Sequence, residues 1–290
     1  MSEINLKPVW DATLNVYREV AKICNRHGLK YYVTDGTAIG AVRHGGFIPW
    51  DDDFDMSMPR EDYEQFRKYA LCELPSHLKF VNWENTPEFS LLFGKVQESR
   101  RDLVEKIEKD VGRVLSNGIF IDIFPIDGYP ESKLERLVTK ISERILFFIL
   151  IFKEERFRSQ LGRRRIFWLA GACFSILFPW LNSQSCKRIC ENMLLKHPFK
   201  GSRICGRASL RLTLLNRGPL MTNVWGQGIM VPFYGETVPI PKDIDTYLRF
   251  YYGDYMRLPP EDQRVPSHSL NTHLPWWLGP TNSDKRNLDT

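Results

Sequence analysis

Four aspartates, Asp51, Asp52, Asp53 and Asp55, crowd the end of the stretch TDGTAIGAVRHGGFIPWDDDFDMSMP at residues 34–59. Two carboxylates about 4 Å apart repel by about 1 kcal/mol in bulk water, and by several times more near a protein surface. A chain that folds such a stretch must spread these charges, protonate some of them, or seat a positive charge among them. A divalent cation is the simplest occupant.

The neighbouring residues give the acids a local frame. Residues 29–33 hold the β-rich run Tyr31-Tyr32-Val33, and Gly36 allows a sharp turn into a short helix at 38–43 that Gly45-Gly46 ends. Residues 47–52 read as a loop, and residues 53–58 alternate polar and apolar like a half-buried strand. That alternation puts Asp53 and Asp55 on one strand face. Downstream, IFIDIFP at residues 119–125 is the clearest strand of the middle region. Its Asp122 is flanked by Ile121 and Ile123, and an acid in that position needs a wet face or a partner. The strand thereby brings a third carboxylate beside Asp53 and Asp55.

Asp53, Asp55 and Asp122 are accordingly the candidate ligands for Mg²⁺ or Mn²⁺, hard ions that take few carboxylates and leave places for water and phosphate oxygens. Two such ions suit phosphoryl transfer. The Gly36-Thr37 turn at the start of a helix offers backbone N–H groups to phosphates. Arg43, His44 and Lys95 are the nearest cations in sequence order. Each piece has a plainer counterpart, since an acidic run is more often a solvated loop and a lone histidine is more often a surface residue. The combination of turn, helix, acidic strand and embedded third aspartate is what argues for a site.

The 290 residues, 43% hydrophobic, allow one large domain or two small ones with a real core. Net charge is +5, too mild to argue for nucleic acid as a partner. Its distribution is informative: residues 131–198 hold 13 Lys and Arg against 6 Glu, a local +7, and the remainder sums to −2. Six scattered cysteines read as reduced and cytosolic. Cys186, Cys190, His197 and Cys205 could be drawn as a zinc site but lack a short Cys-x2-Cys clip, so ordinary buried thiols are expected there. MSEINLKPVW carries no apolar run of signal-peptide type, so export by that route is not expected.

Elsewhere, residues 6–27 form an amphipathic helix that Gly28 stops, residues 60–71 a charged helix, and residues 79–83 and 89–97 two strands. Residues 131–198 change to helices with apolar runs at 145–152 and 166–181. Both are shorter than the roughly 18 to 20 apolar residues that span a bilayer. Arg156, Arg158 and Arg163-Arg164-Arg165 lie between them. This is the pattern of a helical hairpin lying in a membrane interface with its cations on anionic headgroups, and the plainer alternative is a buried helical subdomain. Strands return at 229–233 and 236–240, followed by a helix at 243–252 and a polar tail.

GTAIGAVRHGGFIPWDDDFDMSMPREDYEQF resembles the signature of the LicD family, which includes the fukutin and fukutin-related proteins. IDIFPIDG at 121–128, VPIPKDIDTYLRFYYGDYMRLPP at 238–260, and Arg264 with His268 are similar to its later blocks. The resemblance covers about residues 12–128 and 229–270. It implies an α+β, nucleotidyltransferase-like mixed sheet flanked by helices, with residues 1–130 and 199–290 forming the core around a mainly helical basic and apolar insert at 131–198. It also implies that Asp51, Asp53 and Asp55 take the place of the family's acidic motif, that Asp122 matches its further acid, and that Arg264 and His268 join the nucleotide and phosphate contacts. Asp35 departs from the pattern, where a small residue or serine often precedes the Gly-Thr pair, and Ser269 follows His268 in place of a second histidine.

The resulting expectation is a metal-dependent phosphotransferase that moves phosphocholine from CDP-choline to a cell-surface glycan or its lipid-linked precursor, releasing CMP. Such a protein would be cytoplasmic and peripheral on the inner face of the membrane. Trp50, Tyr251, Tyr252, Tyr255, Trp276 and Trp277 are the aromatics available to a quaternary ammonium. Two alternatives stay open: transfer of ribitol or glycerol phosphate from another CDP-alcohol, and a non-enzymatic peripheral protein whose acidic loop binds Ca²⁺.

Overall fold

The computed structural model describes residues 5–86, 89, 91–111, 118–153, 169, 172–173, 176–207 and 218–264. Helix α1 (Lys7–His27) opens it, with Val9, Leu14, Val16, Val20, Ile23 and Cys24 all buried, as the spacing of its apolar residues requires. Gly28 ends the helix in the left-handed region (φ 63°), where its N–H closes onto the carbonyl of Asn25.

A seven-stranded mixed sheet forms the centre. Its main path runs β1 (Tyr32–Val33), β2 (Asp55–Pro59), β5 (Phe120–Gly128), β4 (Gly94–Glu98) and β3 (Leu78–Val81). Strand β2 runs parallel to β5, and the other neighbours on this path are antiparallel. The chain reaches β5 from β2 through α3 (Arg60–Glu73), β3, β4 and α4 (Arg101–Val111). Phe54, Met56, Met58, Ile121 and Ile123 pack in one apolar cluster with the inner face of α1. The architecture is α+β and nucleotidyltransferase-like, a mixed sheet flanked by helices.

After β5 come α5 (Lys133–Lys153) and α6 (Ser183–Leu195), and then β6 (Ile204–Arg207) and β7 (Leu220–Met221), which extend the main sheet. Strand β6 pairs antiparallel with the end of β5, Gly128 against Cys205. A hairpin of β8 (Ile229–Phe233) and β9 (Glu236–Ile240) packs against α2 (Asp35–His44) and β1, and α7 (Ile244–Tyr252) follows it, with Asp243 accepting a hydrogen bond from the Thr246 N–H at its start.

Several boundaries differ from the sequence reading. Helix α2 begins at Asp35, so Gly36 and Thr37 lie inside its first turn. Strand β2 begins at Asp55, and Asp53 sits in the preceding loop, not on the strand face shared with Asp55. Helix α4 was not anticipated, and β5 runs three residues beyond Pro125. Cys186 and Cys190 pack with Trp83, Leu92, Leu146 and Ile149, whereas Cys205 packs in a different cluster with Trp225. The arginines at 156–165, the tail with Trp276 and Trp277, and His268 lie outside the described residues.

The insert is fastened to the sheet by buried charge. Arg60, at the start of α3, donates to both carboxylate oxygens of Asp127 on β5 (2.6 and 3.0 Å) and to Glu191 on α6 (3.2 Å). Asp127 is fully buried and Arg60 nearly so. Removing one partner strands the other in a low-dielectric setting, which costs about 3–5 kcal/mol. Arg60→Met is therefore expected to lower unfolding stability by that order in urea titration, more than the exposed control Arg18→Met.

Candidate active site

The sheet register sets the site. Because β2 and β5 pair in parallel with Asp55 opposite Asp122, two carboxylates occupy adjacent positions on neighbouring strands. On the far side of β5, Lys95 of β4 stands opposite Asp122 and its ammonium reaches the Asp122 carboxylate at 2.6 Å. The same ammonium lies 3.6 Å from the Phe120 ring centroid, a cation–π contact that helps hold it in an apolar wall. The partner that Asp122 needs between two isoleucines is thus Lys95.

Asp53 enters from the loop before β2 and is buried, and Asp51 is half-buried beside it. Burial raises the Asp51 carboxyl well above the usual carboxylate range, and the charge of Asp53 raises it further. Burial also raises Asp55, reinforced by Asp53, Asp122 and Asp51 and only partly relieved by Lys95. The sequence reading grouped Asp51, Asp53, Asp55 and Asp122, and the fold brings them together as mutually repelling neighbours.

The first turn of α2 supports two of these acids. The Thr37 hydroxyl accepts a hydrogen bond from the Asp55 backbone N–H at 2.9 Å, which fixes where β2 begins. A side chain at Gly36 would meet Asp51, because a Cβ there would lie 2.7 Å from Asp51 Oδ2. Asp51 is held from the opposite side as well, its carbonyl accepting from the Trp10 indole N–H at 2.7 Å.

Trp50, which precedes Asp51 in the chain, lines a cavity of about 700 Å³ together with Arg43, Tyr252, Tyr255, Arg257 and Arg264. Arg43 donates to the carbonyls of Tyr255 (2.6 Å) and Arg257, tying α2 to the segment after α7. The Arg264 guanidinium lies over the Trp50 ring at 5.6 Å. His44, exposed at its outer edge, meets the Trp50 ring edge-on, and the partial desolvation of its ring together with the charge of Arg43 lowers its pKa. Arg43 and Arg264, far apart in sequence, therefore face one space, while Lys95 belongs to the acid row. Of the aromatics named for a cationic ligand, Trp50, Tyr252 and Tyr255 line the cavity, and Tyr251 packs against Arg207 instead. Sequence reasoning passed over Arg207, since a lone arginine at the end of a four-residue strand carries no signal of its own.

The donor set is all hard oxygen, buried, and more negative than its one lysine can balance, which fits Mg²⁺ or Mn²⁺. Among the described residues no three such groups stand at ligating distance already.

A sheet of this topology with acids at the register of its parallel pair defines a nucleotidyltransferase-like protein. Residues 28–144 match the LicD/FKTN/FKRP nucleotidyltransferase domain. It is 26% identical over 282 residues to the lipopolysaccharide cholinephosphotransferase LicD of Haemophilus influenzae, covering 94% of this chain and 100% of that protein. It is 30% identical over 118 residues to the human ribitol 5-phosphate transferase FKRP, covering 40% of this chain but only 20% of FKRP.

The raised carboxyls make a testable link between protons and cations. In the metal-free protein the folded state holds protons that the unfolded chain has released, so its stability falls as pH rises above the ordinary carboxylate value of about 4. Cation binding must displace those protons. Thermal-shift measurement is expected to show a larger Mg²⁺-induced rise in Tm at about pH 8 than at about pH 5.

Proposed function

We propose that this protein is a metal-dependent phosphotransferase that moves phosphocholine from CDP-choline to a glycan hydroxyl, releasing CMP. The observation that carries the reading is the buried acid row, Asp55 beside Asp122 with Lys95 closing one end and Asp53 and Asp51 entering from the loop. The full-length likeness to a lipopolysaccharide cholinephosphotransferase supports phosphocholine as the transferred group. The acceptor oxygen forms a bond to the phosphorus bearing choline, the bond from that phosphorus to the CMP oxygen breaks, and the acceptor proton leaves to a base.

Asp53, Asp55 and Asp122 would hold the Mg²⁺ or Mn²⁺, which when bound neutralises charge on the diphosphate and the leaving CMP. Asp51, its proton affinity raised by burial, suits the base. Lys95 pairs with the Asp122 carboxylate and orients it. The cavity walled by Trp50, Arg43 and Arg264 takes the nucleotide half of the donor, with the base against Trp50 and phosphate oxygens towards the guanidinium groups. The likeness to FKRP over part of the catalytic segment favours one second reading, transfer of ribitol phosphate from the corresponding CDP-alcohol at the same site.

The acceptor is met at a membrane. No described helix is long and apolar enough to cross one. On α5, however, Leu134, Leu137, Val138 and Ile141 follow a helical period and are between 51% and 72% exposed. Lys133 and Lys140 flank them, and the surrounding residues 131–198 carry the local +7. An exposed apolar stripe edged by cations fits an anionic lipid surface, where the enzyme would lie on the inner face and reach a lipid-linked glycan.

Two experiments decide these points. A panel of CDP-alcohols is expected to give cation-dependent CMP release that is greatest with CDP-choline and falls by at least about 10³-fold in Asp53→Asn with Asp55→Asn, a loss of roughly 4 kcal/mol of transition-state stabilisation. Undiminished release would sink the metal assignment, and a preference for CDP-ribitol would move the donor to the second reading. For the membrane, Leu137→Glu with Ile141→Glu is expected to cut co-sedimentation with anionic liposomes while CMP release from free donor persists.

A further inference from the structure

Asp35 has an unusual setting. It occupies the left-handed region (φ 53°) without being glycine, and it is 1% exposed. One carboxylate oxygen is ion-paired with Arg207 of β6, itself 2% exposed and flanked by the rings of Phe124 and Tyr251. The other oxygen accepts hydrogen bonds from Tyr252 (2.6 Å) and, at 3.3 Å, from Tyr247. Asp35 thereby joins the first turn of α2, the strand that returns from the insert, and the last turn of α7.

Tyr252 is where this network meets the site. Its hydroxyl is turned onto Asp35, and its ring lines the 700 Å³ cavity. We propose that Tyr252 contacts the nucleotide half of the donor, and that Asp35, neutralised by Arg207, is the positioning residue that holds the Tyr252 ring as the wall between cavity and acid row. This inference rests on the proposed placement of the nucleotide in that cavity. A phenol anchored by its hydroxyl presents a fixed ring edge and face to a ligand, whereas an unanchored ring rotates about two side-chain bonds and loses that ordering. The pairing also explains how a carboxylate is tolerated at a position this deep, since both charges are buried together and hydrogen-bonded.

Calorimetric titration with CMP as the probe separates positioning from mere structural support. Removing one charge alone strands the other, so the informative variants neutralise both. Asp35→Asn with Arg207→Met keeps an oxygen acceptor for Tyr252 and, because asparagine tolerates positive φ, keeps the backbone. It is expected to bind CMP within about threefold of the unaltered protein. Tyr252→Phe keeps the ring and loses the anchor, and it is expected to weaken CMP by about tenfold, while its Tm falls because the buried Asp35 carboxylate is left one donor short. Adding Tyr252→Phe to the neutral pair should weaken CMP to the same extent.

Equal CMP affinity in Tyr252→Phe and the unaltered protein would overturn the proposal, as would loss of affinity in the neutral pair that tracks its Tm. Failure of the reaction reading is distinguishable, because a protein that binds CMP but releases none from any CDP-alcohol loses the proposed activity and still reports on Tyr252.

Discussion

The parallel pairing of β2 with β5 places Asp55 and Asp122 on strands whose spacing is about 4.8 Å, and much of the molecule is arranged around the consequence. Two carboxylates at that separation inside an apolar sheet would repel each other strongly were nothing done about them. Lys95 answers one of them from β4, and its ammonium is itself held against Phe120. Burial, reinforced by the neighbouring carboxylates, raises the proton affinity of Asp55 and Asp51. A site so built is poised to take up positive charge, which is the physical basis on which phosphate chemistry is proposed for it.

The short helix α2 is the piece that makes this arrangement rigid. Through the Thr37 hydroxyl it fixes the first residue of β2, through the missing side chain of Gly36 it admits Asp51, and through Asp35 it is locked to Arg207 and Tyr252. At its other end Arg43 reaches the carbonyls beyond α7. Ten residues thus tie the acid row to the cavity wall. An error at Asp35 would propagate to both, because the same turn carries both sets of contacts.

What could be read from the sequence follows from which interactions are local. The amphipathic spacing of α1, the stop at Gly28 and the IFIDIFP strand each depend on neighbours in the chain, and each is found close to where it was expected. The gathering of Asp51, Asp53, Asp55 and Asp122 was legible because alternation and an isoleucine-flanked acid constrain which face a side chain takes. The mistaken placing of Asp53 on β2 shows the limit of that rule, since alternation persists in a loop that merely approaches a strand. Helix α4 was missed because its residues RDLVEKIEKDV are mostly charged, and only Ile107 is buried. The Asp35–Arg207 pair was invisible because it bridges an insert, and no local pattern marks either partner.

The insert itself raises the question of how a catalytic sheet tolerates so long an excursion. Gly128 at the end of β5 pairs with Cys205 on β6, so the chain leaves the sheet and returns to the neighbouring position on the same edge. Loop-closure entropy grows only with the logarithm of loop length, so an excursion between adjacent strand ends costs little more when it is long. The exit and return are then secured separately, by Arg60 gripping both Asp127 on β5 and Glu191 on α6. Because Asp127 lies in the same strand as Asp122, the orientation of the insert is referred to the acid row through five residues of rigid strand. The exposed stripe on α5 is therefore carried at a definite attitude to the site. If the stripe docks on lipid as proposed, it can present a membrane-bound acceptor to the acids only while that attitude is kept.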